Sequence, residues 1–283
     1  MASKNNKDNK TADREEYFNN RDYRRNMMKK KKKSSSRWTK VFVILFLMFV
    51  GGSVMFGAYL FQGLPPLSTL ENPKQDAPPI IASEDLQKMK GILSVSFSNQ
   101  GRSGYTTVDY LPSSPTFAEV VQAARQLHQN ADHLLIFSIK LGTNDSAIEG
   151  PKGAPVSKEA YRQNMKAIVD ELLRLFPDSK IVLQQPIWYS PNTQNGAKYL
   201  AEGLTRLQSY FPELQSLVKS YSNTHKNQIS LGDQKAFDYF RLNYLTDLTP
   251  EEGKKGTFYL HPNKKGASRL AEFWANSIYK LVR

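Results

Sequence analysis

The chain has no cysteine among its 283 residues, so it holds neither a disulfide nor a thiolate metal ligand. No group of His, Asp and Glu has the spacing of a metal site, and no glycine-rich loop of the phosphate-cradling kind occurs. The sequence therefore predicts a protein that uses no metal and no other cofactor.

An even distribution of charge is also lacking, because the formal net charge of +13 is concentrated at one end. Residues 1–40 contain fourteen Lys and Arg against five Asp and Glu, which leaves only +4 on the remaining 243 residues. The composition of this segment predicts a disordered basic tail. No aromatic or groove-reading motif accompanies the lysines, so we expect no nucleic-acid partner.

Long hydrophobic runs are absent except for Val41–Phe61, which passes through 21 residues without a charge. About 20 residues in a helix cross the hydrocarbon core of a bilayer, so the run predicts a single-pass transmembrane helix over residues 41–61. A signal peptide has a shorter apolar region and a small-residue cleavage site, which favours an uncleaved signal-anchor. Because the basic residues precede the run, we expect a cytoplasmic N terminus, membrane lipid as a partner and an extracytoplasmic C-terminal domain in the cell envelope.

The rest of the chain alternates between the two kinds of secondary structure. Residues 62–80 are proline-rich and predict an extended linker before a domain over residues 81–283. Strands are predicted at residues 92–97, 133–139, 180–185 and 228–231, and helices at residues 116–129, 157–176, 196–222 and 265–282. The alternation predicts an α/β domain with a parallel sheet, whose functional site lies at the carboxyl ends of the strands.

Polar motifs stand where that rule places the site. SNQGRSG follows the first predicted strand, LGTNDS follows the second, and YLHPN precedes the last helix. We therefore expect a backbone N–H of Gly101, the amide of Asn144 and the imidazole of His261 to share one cleft. Taken alone, LGTNDS also fits an ordinary loop, since Gly, Asn and Asp all tolerate a positive φ.

The strings NQGRSGYTT, LGTNDS and FYLHPNKKGA resemble the glycine, asparagine and histidine blocks of the SGNH (GDSL) hydrolases, a superfamily of serine esterases and lipases. The resemblance covers about residues 76–283 and implies a three-layer, flavodoxin-like fold. It also implies Gly101 and Asn144 as oxyanion-hole residues and His261 as the general base. GPKGAPVS and IWYSPNT are similar to bacterial, carbohydrate-directed members, which implies an acylated glycan as substrate or ligand.

Two features of the family pattern are missing. The nucleophilic serine normally stands in G-[DN]-S after a first strand, and nothing between Phe61 and Ser94 reads that way. The first strand and its serine are therefore expected to be absent, with ester hydrolysis undetectable or very weak. The aspartate that usually stands three residues before the histidine is Phe258 here, so the group that orients His261 is undetermined.

A second resemblance concerns GLPPLSTLENPKQ, residues 63–75, which with the basic tail and apolar run is similar to the membrane-proximal start of class A penicillin-binding proteins of Bacteroidota-like bacteria. It implies a fusion whose join removed the first strand. Three hypotheses therefore stay open. They are a membrane-anchored esterase or carbohydrate deacetylase, an inactive glycan-binding relative (a pseudoenzyme), and a fusion product without a selected function.

Five further side chains have predicted roles. Asp145 is expected to fix the loop of LGTNDS rather than to perform chemistry. Asp233 is expected to cap a helix, and the alternative is that it approaches His261. Trp188, Tyr189 and Tyr259 are core aromatics or platforms for sugar rings, and the sequence favours neither.

Overall fold

The computed structural model describes residues 39–47, 77–129 and 133–283, with side chains described from residue 77 onward. Five parallel strands form the main sheet: β1 (Thr39–Leu47), β2 (Ile92–Asn99), β3 (His133–Lys140), β4 (Lys180–Leu183) and β5 (Ile229–Leu231). Their order across the sheet is β2-β1-β3-β4-β5. A two-stranded antiparallel hairpin follows, made of β6 (Leu248–Gly253) and β7 (Gly256–Pro262).

The helices in chain order are α1 (Pro78–Gln87), α2 (Pro115–Leu127), α3 (Lys158–Leu175), α4 (Leu200–Ser220), α5 (Ala236–Asp247) and α6 (Lys264–Val282). A 3₁₀ turn covers Thr107–Tyr110. The predicted helices and strands after residue 90 all occur, with ends shifted by a few residues. Ser157 caps α3, because its hydroxyl accepts the N–H of Ala160 at 3.1 Å.

Helices cover both faces of the sheet, as neighbouring residues of β3 show. Gln184, the residue after β4, bonds Ser138 on β3 at 3.2 Å and Ser277 on α6 at 2.9 Å. Phe137, the residue before Ser138, packs its ring against that of Phe176 at the end of α3, with ring centroids 5.5 Å apart. Successive residues of a strand point to opposite faces, so α6 and α3 lie on opposite sides. The predicted three-layer α/β fold is confirmed.

The predictions for the apolar run need correction. Thr39–Leu47 is a β-strand in the described structure, so residues 41–47 do not belong to the predicted transmembrane helix. Residues 48–61 of that prediction lie outside the described residues. None of the helices in the described part of the chain combines the length and apolar character needed to cross a bilayer.

The sheet is also not short of its first strand. β1 pairs with β2 on one side, from Thr39 opposite Ile92 to Leu45 opposite Asn99, and with β3 on the other. The physical reason for the error is that an uninterrupted apolar run fits a strand buried on both faces of a parallel sheet as well as it fits a membrane helix. The predicted linker over residues 62–80 ends earlier than expected, since α1 begins at Pro78.

Candidate active site

The chain turns sharply at Gly142, two residues after the end of β3. Gly142 has a φ of +126°, a region that other residues rarely adopt. A Cβ at this position would lie 3.0 Å from Pro186 and 3.2 Å from Tyr161. The turn closes when the N–H of Ser146 donates to the carbonyl of Gly142 at 3.0 Å. Glycine is therefore required both for the backbone conformation and for the lack of a side chain.

Asn144 lies on this turn with 1% of its surface exposed. Its Nδ2 donates to the carbonyl of Tyr105 at 2.9 Å, and its Oδ1 accepts the hydroxyl of Tyr199 at 2.7 Å. Burial, aided by the nearby charge of Asp145, raises the pKa of Tyr199, so this phenol keeps its proton and stays a donor. The two contacts fix which end of the amide carries the N–H groups.

Asp145 ties the same turn to the 3₁₀ segment that begins at Thr107. One carboxylate oxygen accepts both the N–H of Thr107, at 2.9 Å, and its hydroxyl. Burial raises the pKa of Asp145 to about 6, although the bonds from Thr107 act in the opposite direction. The other oxygen, Oδ2, is buried and has no hydrogen-bond partner among the described residues. These contacts favour the predicted structural role of Asp145.

Gly101 is placed differently from the expectation. Its N–H donates to the side-chain oxygen of Asn99 at 3.0 Å, and Gly101 is not among the residues that line the cleft described below. Ser103, Gly104 and Tyr105 of the same segment do line that cleft. The role of Gly101 as an oxyanion donor stays a prediction.

His261 lies near the end of β7, where the hairpin is irregular. Leu248 pairs with Pro262 and Pro250 pairs with Tyr259, so two residues of β7 face one residue of β6. Such a bulge changes the direction in which a side chain points. The Nδ1 of His261 lies 2.5 Å from an oxygen of Glu251 on β6, and only 7% of His261 is exposed. Because a carboxylate oxygen accepts, Nδ1 carries a proton, and in the neutral ring the lone pair is then on Nε2.

Glu251 is therefore a functional candidate that the sequence interpretation missed. The signal that could have found it is the stretch EEGKKGTFYL, in which two glycines separate short segments of strand character. A hairpin assigned there brings residues before the turn beside those after it.

The loop after β4 holds the hairpin in place. The N–H of Tyr259 donates to the hydroxyl oxygen of Ser190 at 2.8 Å, and the N–H of Ser190 donates to the carbonyl of Tyr259, also at 2.8 Å. Asn192 donates to the carbonyl of Thr257 at 2.8 Å. The N–H of Lys254 reaches the carbonyl of Gln194 at 3.0 Å.

Asn144 and His261 line the same cleft, as predicted, and its volume is about 430 Å³. The other walls come from residues 103–105, 150–152 and 195–197 together with Asp109 and Tyr199. Among the described residues that line it, hydroxyl groups belong to Ser103, Tyr105 and Tyr199. The cleft thus combines an amide donor and a base with a mixed polar and aromatic wall.

The aromatic residues singled out from the sequence do not line this cleft. Trp188 is buried against Tyr244, with ring centroids 5.3 Å apart, and Tyr244 packs in turn on Tyr259 at 4.9 Å. Tyr189 is fully buried. Tyr105 and Tyr199 line the cleft instead.

Asp233 stands at the start of α5. Its carboxylate accepts the N–H groups of Lys235 at 3.0 Å and Ala236 at 2.6 Å, which agrees with the predicted capping role.

Comparison with known proteins agrees with this geometry. The model of the GDSL-like Lipase/Acylhydrolase family matches residues 83–269. No curated protein matches the chain.

Solved structures share the fold at low sequence identity. A GDSL-like lipase structure from Parabacteroides merdae, described as putative in its own name, has 16% identity and a TM-score of 0.55, covering 84% of this chain and 96% of that one. Est24, a carbohydrate acetylesterase from Sinorhizobium meliloti, has 17% identity and a TM-score of 0.51, covering 86% and 100%. A Geobacillus acetyl-xylooligosaccharide esterase, Axe2, has 18% identity and a TM-score of 0.52, covering 85% and 94%.

Proposed function

Because the chain belongs to the GDSL-like lipase/acylhydrolase family, we propose that it hydrolyses short acyl esters carried by carbohydrates. The observation that carries the proposal is that Asn144 and His261 line one cleft of about 430 Å³, a size suited to a small ligand. Two of the structural neighbours are named as a carbohydrate acetylesterase and an acetyl-xylooligosaccharide esterase, which supports the choice of substrate.

In the proposed reaction, His261 acts through Nε2. This nitrogen accepts the proton of the attacking hydroxyl and returns it to the sugar oxygen that leaves, which leaves the acyl group on the hydroxyl oxygen. Nε2 then takes a proton from water as the water oxygen attacks the acyl carbon, and it returns that proton to the hydroxyl oxygen as the acid is released. The amide of Asn144 donates to the negative charge that develops on the acyl oxygen. Removing one such donor typically lowers kcat by about 10²–10³-fold.

The nucleophile is proposed from the corrected position of the first strand. The first serine after β1 is Ser53, in the triplet Gly51-Gly52-Ser53, and it follows the end of the strand by six residues. The triplet lies outside the described residues and precedes the stretch from Phe61 to Ser94, which holds no such motif. Gly52 stands where the family pattern has Asp or Asn, so the match is partial.

That partial match favours a second candidate function, an inactive relative that binds acylated glycans in the same cleft. The fusion hypothesis also stays a proposal. The residues that resemble a penicillin-binding protein, 63–75, lie outside the described residues.

The test is to label the full-length chain with a fluorophosphonate probe and to map the modified residue by mass spectrometry. We expect label on Ser53 that is lost in Ser53→Ala and in His261→Ala and retained in Ser103→Ala. Label on Ser103 would move the nucleophile to the cleft wall. No label, together with binding but no turnover of an acetylated xylo-oligosaccharide, would favour the inactive relative.

Attachment to a membrane is a separate proposal and rests on the basic flank before the apolar run. It competes with the fold, because residues 41–47 cannot lie in a bilayer and in the sheet at the same time. Residues 48–61 alone are fewer than the about 17–25 that a spanning helix needs. Since the chain lacks cysteine, single-cysteine variants at Ser35 and Ser222 can be labelled in spheroplasts with a maleimide that does not cross membranes. Label at position 222 but not at 35 would support an extracytoplasmic domain.

A further inference from the structure

We propose that Glu251 is the positioning residue of His261, replacing from a neighbouring strand the aspartate that family members carry three residues before the histidine. The proposal deepens the proposed function and rests on it, since it assigns the group that holds the general base. Its direct basis is the 2.5 Å contact between Nδ1 of His261 and an oxygen of Glu251.

The position that the aspartate usually occupies is closed to a carboxylate in this chain. Phe258 stands there, is 1% exposed and belongs to the hydrophobic core. Glu251 is the residue directly opposite Phe258 in the hairpin. The acid therefore stands on β6, directly across from the usual position on β7. From there the bulge at His261 lets the side chains of Glu251 and His261 meet.

Nearby carboxylates have other partners. Glu252 accepts the hydroxyl of Thr257 at 2.8 Å. Asp247 is engaged by Lys265 at 2.8 Å and by the hydroxyl of Tyr239 at 2.7 Å. Asp109 accepts the N–H of Thr106 at 2.9 Å. Glu251 is the carboxylate that the hairpin directs to the imidazole.

The consequence for the base is a fixed tautomer. A carboxylate at Nδ1 holds the proton there, leaves the lone pair on Nε2 and stabilises the imidazolium that forms during the reaction. The side chain of Glu251 is 22% exposed and that of His261 is 9% exposed, so the pair is largely shielded from solvent.

The first experiment reads the tautomer and needs no catalysis. The chain has four histidines, so histidine-selective ¹⁵N labelling of the full-length protein gives few imidazole signals, and His261→Ala identifies the one of interest. We expect a single Nδ1–H tautomer with a strongly downfield proton, which becomes a mixture in Glu251→Gln and in Glu251→Ala. Glu252→Gln, which alters the neighbouring carboxylate, should leave the signal unchanged. An unchanged tautomer in both Glu251 variants would overturn the proposal.

The second experiment measures hydrolysis of an aryl acetate. Glu251→Gln should lower kcat by about 10²–10⁴-fold with little change in KM, since loss of the triad acid in serine hydrolases has effects of this order. Glu251→Asp should recover part of the rate, and added formate should recover part of the rate in Glu251→Ala. Wild-type rates in Glu251→Gln would refute the proposal and leave the proposed function intact. A wild-type chain without activity would refute the function, and the tautomer would then decide the contact alone. Because Gln has nearly the same shape as Glu, Glu251→Gln keeps the test decisive even if Glu251→Ala does not fold.

Discussion

The two sides of the cleft are built in different ways. Asn144 stands on a turn within the core, where residues 141–147 are all buried and the loop is bonded to Tyr105, Thr107 and Tyr199. His261 stands on a separate two-stranded hairpin, which buries Phe258 and Leu260 and makes polar contacts to the loop around Ser190. The Asn144 side therefore depends on the central sheet and its packing, whereas the His261 side depends on the pairing and packing of one hairpin and on a few hydrogen bonds to the loop around Ser190.

The strongest test of that contrast removes the strand on which the buried side rests. Deleting residues 1–76 takes away β1, which pairs with both β2 and β3, so within the described sheet β2 loses its only partner strand and β3 keeps only β4. We expect the truncated chain to lose cooperative unfolding, because the loss exceeds a typical domain stability of about 5–15 kcal/mol.

The matched control deletes only residues 1–38 and keeps β1, and it should unfold cooperatively when heated and followed by circular dichroism. If the chain lacking residues 1–76 has the same Tm as the control, β1 is not needed, and the apolar run is available for a membrane.

A second test uses the buried carboxyl of Asp145. Its pKa is raised from 3.8 to about 6, so the folded state binds a proton that the unfolded state has already released between about pH 4 and pH 6. Stability should therefore fall as the pH rises through this window. Two pKa units correspond to a loss on the order of 3 kcal/mol.

Asp145→Asn should remove this fall, as measured by urea unfolding at pH 4, 5, 6 and 7. Asp178→Asn, at an exposed carboxyl, is the control and should keep the wild-type profile. A profile in Asp145→Asn that matches the wild type would show that the buried side carries no such titration.

A third test adds one methyl group at Gly142. Gly142→Ala combines an unfavourable positive φ with a Cβ 3.0 Å from Pro186, and we expect a loss of about 2–4 kcal/mol. Gly104 also has a positive φ, +78°, but nothing lies within 4 Å of its Cβ position. Gly104→Ala should therefore cost only about 1 kcal/mol. Equal losses in Tm would mean that crowding around Gly142 adds nothing.

The smallest expected effect lies on the hairpin side. Ser190→Ala leaves the N–H of Tyr259 without its acceptor, which should lower local stability by about 1–2 kcal/mol. Hydrogen exchange should accelerate at the amides of β6 and β7 and stay unchanged in β3. Ser220→Ala, which removes a hydroxyl bonded within α4, should change neither region. Faster exchange across the whole sheet would show that the hairpin and the core open together.

The same contrast explains what the sequence could and could not predict. The turn at Asn144 was predictable because glycine, amide and carboxylate stand within four consecutive residues after a buried strand, so its chemistry is local. Glu251 was not, because its contact with His261 depends on strand pairing and a bulge, and the residues lie ten positions apart. β1 was not, because the 21 uncharged, mostly apolar residues 41–61 carry no periodicity that separates a strand from a membrane helix.

The central place of β1 also sets the order in which the molecule can assemble. Val41 pairs with Val95, 54 residues later, and Lys40 pairs with His133, 93 residues later. The β6–β7 hairpin closes over a few residues and can form within about 1–10 μs. Pairings as distant as those of β1 slow folding. A ribosome that releases the chain from its N terminus will expose the sequence TKVFVILFL long before β3 is synthesised. We therefore expect nascent β1 to be a binding site for chaperones that recognise hydrophobic segments.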